Sequence, residues 1–276
     1  MKIVVDTATL FAPAEGAEQG MTVIPVCVNI NDKTYKDYAE ISSGEFLDMI
    51  AAGGVPSSSQ PAIGDILDVF AASDEEMLVL TVGDGLSGGY QTTLAARNCA
   101  EHPDRIHVMN SKTLAGPLRY LAKKAVALKE RGMSIEQIKA ALAASIESSV
   151  SFVIPEDFDF LKRSGRLTAF TAKIGGALKL LPVLTQTKDK TRITPIGIKR
   201  GWNAAVEMIL QRLQELDVGS EHLISICHAG TPLKAEKIRQ QIKDRFCTSE
   251  TELLELSPAL ITHGGPGCIV IQAIHK

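Results

Sequence analysis

The sequence predicts an α/β protein with two domains, and three observations lead to this prediction. Short apolar runs alternate with longer helical patterns through the first half of the chain, which is typical of a mostly parallel sheet with flanking helices. The pattern changes near residue 150, and the chain of 276 residues exceeds a single core of average size. We therefore predict an N-terminal α/β domain at 1–150 and a C-terminal α/β domain with a mixed sheet and helices at 151–276.

The elements of the first half follow from apolar runs and helix-start signals. Ser42 with Glu45, and Ser134 with Gln137, form capping boxes ahead of two predicted helices. Pro61 suits the first turn of a helix that runs to about residue 72, and Ser87 can cap the next helix. A further helix is predicted at 117–131, ended by Gly132. Buried strands are predicted at 3–5, 23–30, 77–82 and 106–109.

The second half is predicted to be less regular. A strand at 152–154 and a short helix at 158–161 precede two runs, 178–186 and 191–198, that read as a hairpin around Lys188-Asp189-Lys190. An apolar stripe from Trp202 to Leu213 has helical spacing. The remaining strands and helix, at 223–227, 232–246, 252–256 and 268–274, complete an α/β pattern.

Composition excludes several functional classes. The net charge of −3 provides no field that would attract nucleic acid. The five cysteines are scattered and lack CxxC spacing, so we expect neither a disulfide framework nor a metal site. No apolar run approaches the ~20 residues of a membrane span, and the predicted strand at 3–5 argues against a signal peptide. We expect a cytoplasmic protein without stable membrane insertion and without a cofactor.

Two hydroxyl-rich segments adjoin predicted strands or helices. Asp6-Thr7-Ala8-Thr9 follows the first strand, where Asp6 could orient a ligand or cap the next turn. Ser57-Ser58-Ser59-Gln60-Pro61 precedes a predicted helix start, where unpaired N–H groups attract anions. One serine would suffice as a cap, so at least one of the three hydroxyls remains free for binding.

The segment 83–90 is rich in glycine and follows a predicted strand. It includes Ser87, Gly88 and Gly89 at a helix start, so its backbone can approach an anion closely. It also matches the GxSxG pattern of serine hydrolases, which leaves a nucleophilic Ser87 as an alternative. Against that alternative, no acid stands out as the third catalytic residue.

Two further segments carry candidate cationic or imidazole groups. His263 stands beside Gly264-Gly265-Pro266-Gly267, and a histidine in such a turn is a candidate ligand donor. Arg166 ends the basic stretch Lys162-Arg163-Ser164-Gly165-Arg166, which suits phosphate or carboxylate. A solvated helix end explains the same basic stretch.

In order along the chain, these segments resemble the motifs of the DegV family. Ser58-Ser59-Gln60-Pro61 is similar to Thr-Ser-Gln-Pro, and Leu86-Ser87-Gly88-Gly89-Tyr90-Gln91 is similar to Leu-Ser-Gly-Thr-Tyr-Gln. His263-Gly264-Gly265-Pro266-Gly267 is similar to His-Thr-Gly-Pro-Gly. Weaker matches are Asp6-Thr7-Ala8 to Asp-Ser-Thr, Asn110-Ser111 to Asp-Ser, and Leu161–Leu167, followed by Pro182, to Leu-Lys-Arg-Gly-Gly-Arg-Ile.

The resemblance implies a carrier that is not itself an enzyme. It implies that a long-chain fatty acid lies in a tunnel between the two domains and that a separate fatty acid kinase subunit phosphorylates its carboxylate with ATP. The family's carboxylate-binding positions fall on Ser58, Ser87 and His263, and its arginine falls on Arg166. Asp6, Gly88 and Gly89 are possible auxiliary positions. A lipid-sensing regulatory module and a serine hydrolase are the alternatives.

Glycine replaces the family's threonine at two of these motifs. Gly89 and Gly264 stand at these positions, so two hydroxyls of the family pattern are missing. The sequence therefore does not specify which acyl chain the site accepts.

Overall fold

The computed structural model of the protein describes residues 1–168 and 180–276. Positions 178 and 179 of the predicted hairpin lie outside the described residues. The strands are β1 (Lys2–Asp6), β2 (Met21–Ile24), β3 (Cys27–Ile30), β4 (Lys33–Lys36), β5 (Ser57–Ser59), β6 (Met77–Thr81), β7 (Ile106–Asn110), β8 (Val150–Ile154), β9 (Leu180–Gln186), β10 (Ile193–Arg200), β11 (His222–His228), β12 (Glu250–Glu255) and β13 (Ile269–His275).

The helices lie between these strands and belong to the same described ranges. They are α1 (Pro13–Glu18), α2 (Ser43–Ala51), α3 (Ile63–Ala71), α4 (Gly89–Cys99), α5 (Ala115–Glu130), α6 (Ile135–Ser148), α7 (Phe158–Arg163), α8 (Trp202–Glu215), α9 (Pro232–Arg245) and α10 (Pro258–Gly264). None of them is long and apolar enough to cross a lipid bilayer.

A four-stranded parallel sheet in the order β2-β1-β6-β7 organises the first half. Alternate residues of its strands enter two separate cores, as expected for a sheet covered on both faces. Ile3 and Leu78 pack with α5 and α6, whereas Val4 and Val79 pack with α3 and α4. The predicted parallel α/β arrangement is thereby confirmed.

A six-stranded mixed sheet organises the second half, in the order β10-β9-β8-β13-β11-β12. Only β11 and β12 are parallel among its neighbouring pairs. Helices α8 and α9 cover one face through Ile209 and Ile238. The opposite, inner face contacts α5 and α6 of the first half. The architecture is the predicted one of a parallel and a mixed sheet, each with helices.

A third, small sheet in the order β4-β3-β5 was not predicted. The prediction of a single strand at 23–30 is wrong. The run forms two strands: β2 ends at Ile24, and β3, the central strand of the small sheet, begins at Cys27. Pro25 interrupts that run, since proline lacks an N–H for a ladder hydrogen bond. Residues up to Ile24 pair with β1, and residues from Cys27 pair with β4 and β5.

Helix starts agree with the sequence where the signal is local. Both predicted capping boxes form, at Ser42 with Glu45 and at Ser134 with Gln137. The helix predicted to have Pro61 in its first turn begins at Ile63, so Pro61 lies two residues before α3. The division at residue 150 stays a prediction, and β8 begins there in the six-stranded sheet.

Candidate ligand-binding site

A cavity lies where the carboxyl ends of the parallel sheet meet the inner face of the mixed sheet. Its empty space, including the part open to solvent, is about 1170 Å³. Open α/β sheets bind ligands beyond the carboxyl ends of their strands. Apolar side chains from both halves line it, including Val26, Val82, Leu86, Leu114, Val153, Leu161, Leu256, Leu260 and Val270.

A serine and a histidine from distant parts of the chain meet at this cavity. Ser58 Oγ lies 2.8 Å from His263 Nε2, although the two residues are 205 positions apart. Strand β5 alternates, so Ser58 is less exposed than Ser57 and Ser59. The serines were predicted to precede a helix directly. Instead they pair with β3, and Ser58 and Ser59 line the cavity.

His263 lies in the last turn of α10 rather than in the glycine-rich turn where it was predicted. The Ser257 hydroxyl accepts from the Leu260 N–H at the start of this helix, and Pro258 occupies the first turn. Gly265 ends the helix with a φ of 77°, a conformation that favours glycine. The helix therefore begins and ends so that the imidazole of His263 faces Ser58.

The imidazole of His263 is uncharged at neutral pH. Burial, and to a smaller extent the nearby positive charge of Arg166, lower its pKa to about 3. A neutral imidazole offers one N–H donor and one acceptor nitrogen. One hydrogen of the pair lies in the bond between Ser58 and His263. The other can be donated to an anion, without a buried cation at that position.

Ser87 lies at the start of α4 and lines the same cavity. The predicted capping role is wrong, because Gly88 is the residue before the helix. Ser87 Oγ instead accepts a hydrogen bond of 3.2 Å from the Gly89 N–H. This contact leaves the hydroxyl hydrogen of Ser87 for donation. Gly85, with a φ of 85°, holds the preceding turn close to Thr191.

Capping, one of the two roles considered for Asp6, is observed. Its Oδ1 accepts from the Ala8 N–H at 2.8 Å, which caps the turn after β1. It also lines the cavity. Burial raises the pKa of this carboxyl to about 6, partly offset by the N–H groups of Ala8 and Val82.

Arg166 connects the segment after α7 to the glycine-rich loop. Its Nε donates to Leu86 O at 3.1 Å, and its Nη1 donates to Ser164 O. The guanidinium therefore fixes the residue next to Ser87 and adds positive charge to the cavity lining. Asn110 has a purely structural contact, since its Oδ1 accepts from the N–H groups of Asp84 and Lys112.

The structure thus brings five of the seven predicted positions to one cavity. Asp6, Ser58, Ser87, Arg166 and His263 line it. The other two, Gly88 and Gly89, lie next to the lining: the first faces Gln60, and the second adjoins Ser87 and Asp6.

The two glycines that depart from the family motifs differ in the space around them. A Cβ on Gly89 would lie 3.5 Å from Ser87 Oγ, which is an ordinary contact. A Cβ on Gly264 would lie 2.8 Å from Cys268 Sγ, which is too close. The site can therefore accept a side chain at position 89 but not at position 264.

The arrangement does not match a serine hydrolase. His263 Nε2 is hydrogen bonded to Ser58 rather than to Ser87, the serine of the GxSxG match. A general base is most effective with a pKa near the working pH, whereas that of His263 is about 3.

Four polar lining residues were missed in the sequence. They are Ser151, Thr185, Gln186 and Gln272. Ser151 and Gln272 each interrupt an apolar strand, and that interruption was the available signal. Whether such a residue faces a cavity depends on strand pairing between distant segments.

Comparison with known proteins identifies relatives with the same fold. The chain is 28% identical to the DegV domain-containing protein YteA of Lactococcus lactis, over 100% of this chain and 98% of that protein. A structure of fatty acid binding by a DegV family protein of Thermus thermophilus has a TM-score of 0.89, with 26% identity and coverage of 100% and 99%. DegV of Bacillus subtilis, described as a fatty acid binding protein, has the same fold, with a TM-score of 0.85, 23% identity and the same coverage. The DegV family model matches residues 1–276, so the chain belongs to the DegV family.

Proposed function

We propose that this protein binds one long-chain fatty acid in the cavity. The observation that carries the proposal is the neutral Ser58–His263 pair at an otherwise largely apolar cavity. The Thermus thermophilus relative, whose structure concerns fatty acid binding, supports the same ligand class. The apolar lining receives the tail, because each buried CH2 contributes about 0.8 kcal/mol.

The carboxylate is proposed to accept hydrogen bonds from Ser58, Ser87 and His263. A buried carboxylate without donors is strongly unfavourable. The Ser87 hydroxyl supplies one donor, and Ser58 and His263 supply two more when the carboxylate replaces the hydrogen bond between them. Arg166 adds positive charge nearby and holds the loop before Ser87. In this assignment Asp6 lies close to the headgroup. Its pKa of about 6 leaves it largely ionised at pH 7, and the carboxylate of the ligand would raise that pKa further.

We further propose that a separate kinase subunit phosphorylates the bound carboxylate. This subunit would transfer the γ-phosphoryl group of ATP to a carboxylate oxygen and release ADP, while the present chain supplies binding alone. The ordered resemblance of the site motifs supports this role, and the use of ATP places it in the cytoplasm. Recovery of a protein partner that forms no acyl phosphate would instead support a lipid-sensing regulatory module.

Mass spectrometry of the purified, denatured protein tests the ligand class. We expect a co-purified acyl chain, and a rise in melting temperature when fatty acid is added to delipidated protein. Finding neither would reject fatty acid binding.

Alanine variants test the proposed headgroup contacts. Ser58→Ala and Ser87→Ala should each weaken fatty acid binding by roughly 10- to 100-fold, since a hydrogen bond to a charged acceptor is worth about 1.5–3 kcal/mol. Ser57→Ala is the matched control, because Ser57 is an exposed neighbour on the same strand. Titration calorimetry measures the three affinities. Wild-type affinity in both test variants would place the carboxylate elsewhere.

A further inference from the structure

A row of polar side chains crosses the inner face of the mixed sheet. The strand register places Gln272 opposite Ser151 on β8 and opposite Ser225 on β11. Pairing of Phe152 with Thr185 extends the row to Gln186 on β9. Three of these residues, Ser151, Gln186 and Gln272, line the cavity that is proposed to hold the acyl chain. A purely hydrocarbon chain could form no hydrogen bond with these side chains.

Gln186 presents an unpaired acceptor in this row. Its Nε2 donates to the carbonyl oxygens of Lys112, at 3.0 Å, and Lys190, at 3.4 Å. The amide orientation is therefore set, since the reverse orientation would place oxygen against two carbonyl oxygens. Its Oε1 is buried and has no hydrogen-bond donor within residues 1–168 and 180–276. Such a group is unfavourable unless a ligand or water pairs with it.

Ser151 presents a complementary donor beside Gln186. Its hydroxyl oxygen accepts from Gln272 Nε2 at 2.8 Å. The amide of Gln272 is itself set, because its Nε2 also donates to Leu114 O and its Oε1 accepts from the Gly116 N–H. The hydroxyl hydrogen of Ser151 is consequently left to donate. Ser151 is only 5% exposed, so this donor belongs to the interior.

We propose that the cavity is specific for a hydroxylated long-chain fatty acid, whose chain hydroxyl donates to Gln186 Oε1 and accepts from the Ser151 hydroxyl. A hydroxyl is both donor and acceptor, so it matches this pair. An oxo group cannot donate to Gln186, and a plain chain leaves Oε1 unpaired. This inference rests on the proposed fatty acid binding and names the substrate class of that site.

Binding measurements on delipidated protein test this specificity. The probes are octadecanoic acid and a set of monohydroxy-octadecanoic acids that differ in hydroxyl position. We expect at least one positional isomer to bind wild-type protein roughly tenfold more tightly than octadecanoic acid, as two additional hydrogen bonds would give. Gln186→Leu and Ser151→Ala should each reduce that preference while octadecanoic acid still binds.

Gln211→Leu is the matched control, because it makes the same chemical change on the exposed face of α8, outside the cavity. It should keep the preference for the hydroxylated isomer. Two variants at separate strands guard against misfolding of either one, and circular dichroism checks each fold. Equal or weaker binding of every isomer to the wild type would overturn the specificity alone, as would a preference that persists in both variants. Failure of the wild type to bind any of the probes would reject fatty acid binding itself.

Discussion

Three buried titratable groups near the cavity affect stability in opposite directions. Burial raises the pKa of Asp6 to about 6 and that of Asp37 to about 7, and lowers that of His263 to about 3. The two acids hold protons more tightly when folded, so their contribution is present at low pH and is lost as pH rises through 6 to 7. His263 binds its proton less tightly when folded, so its contribution is complete above pH 6.5 and is lost as pH falls toward 3.

Asp37 provides the clearest test, because it is fully buried and lines neither the cavity nor its opening. Replacing it by asparagine removes a carboxyl that ionises at about pH 7 in the folded protein and at about 3.8 in the unfolded chain. The free energy of unfolding of Asp37→Asn relative to wild type should therefore increase with pH between 4 and 8, by up to about 4 kcal/mol. Urea titrations at several pH values measure it. A difference that is flat across this range would contradict the raised pKa.

For single residues, the sequence predicted which side chains line the cavity better than it predicted which residues they contact. Asp6 and Ser87 follow predicted strands, so their place at a sheet edge could be anticipated. The contact between Ser58 and His263 could not, because it spans 205 positions and depends on how a strand and a helix pack. The resemblance to the family motifs assigned these residues to one site but gave no information on the distance between them.

Among the elements, local signals were reliable and non-local ones were not. The capping boxes at Ser42 and Ser134 form because the residues involved are three positions apart. Strand β5 consists of three serines, a residue type without strong strand preference. It exists because β3 offers it a pairing edge. Sequence periodicity cannot reveal such an edge, which is why the serines were placed before a helix.

The close approach of Cys268, the residue before β13, explains why position 264 holds glycine. A Cβ there would lie 2.8 Å from Cys268 Sγ and 3.1 Å from its Cβ. Gly264→Ala should lower the free energy of unfolding by about 1–3 kcal/mol, as overpacking in a dense core does. Adding Cys268→Ala should recover part of this loss, since it removes the nearer atom. Chemical denaturation of the single and double variants measures the coupling.

Gly64→Ala is the matched control for that experiment. Gly64 lies in α3, and a Cβ there would meet nothing within 4 Å. Alanine favours helix over glycine by up to about 1 kcal/mol, so this variant should be as stable as the wild type or more stable. A Gly264→Ala protein as stable as Gly64→Ala would show that α10 can move away from Cys268 freely.

At the scale of the whole molecule, the two predicted halves share their apolar cores. One core joins Leu10, Val28 and Phe46 of the first half to Cys227 and Cys268 of the second. Helix α10 belongs to the second half in sequence and packs on α2, β3 and β5. The Ser43 hydroxyl also donates to Leu256 O across this junction. The halves are therefore distinct in sheet topology and continuous in packing.

This continuity predicts that the protein unfolds in one cooperative transition. Natural probes separate the halves, since all four tyrosines, Tyr35, Tyr38, Tyr90 and Tyr120, precede residue 150 and the single tryptophan, Trp202, follows it. Tyrosine and tryptophan signals should change at the same urea concentration, because neither half can expose its part of the shared core alone. A ligand that binds in the cavity should shift both midpoints equally, by linkage to the folded state. Two separated midpoints would instead establish independently folding domains at 1–150 and 151–276, and a ligand would then shift them unequally.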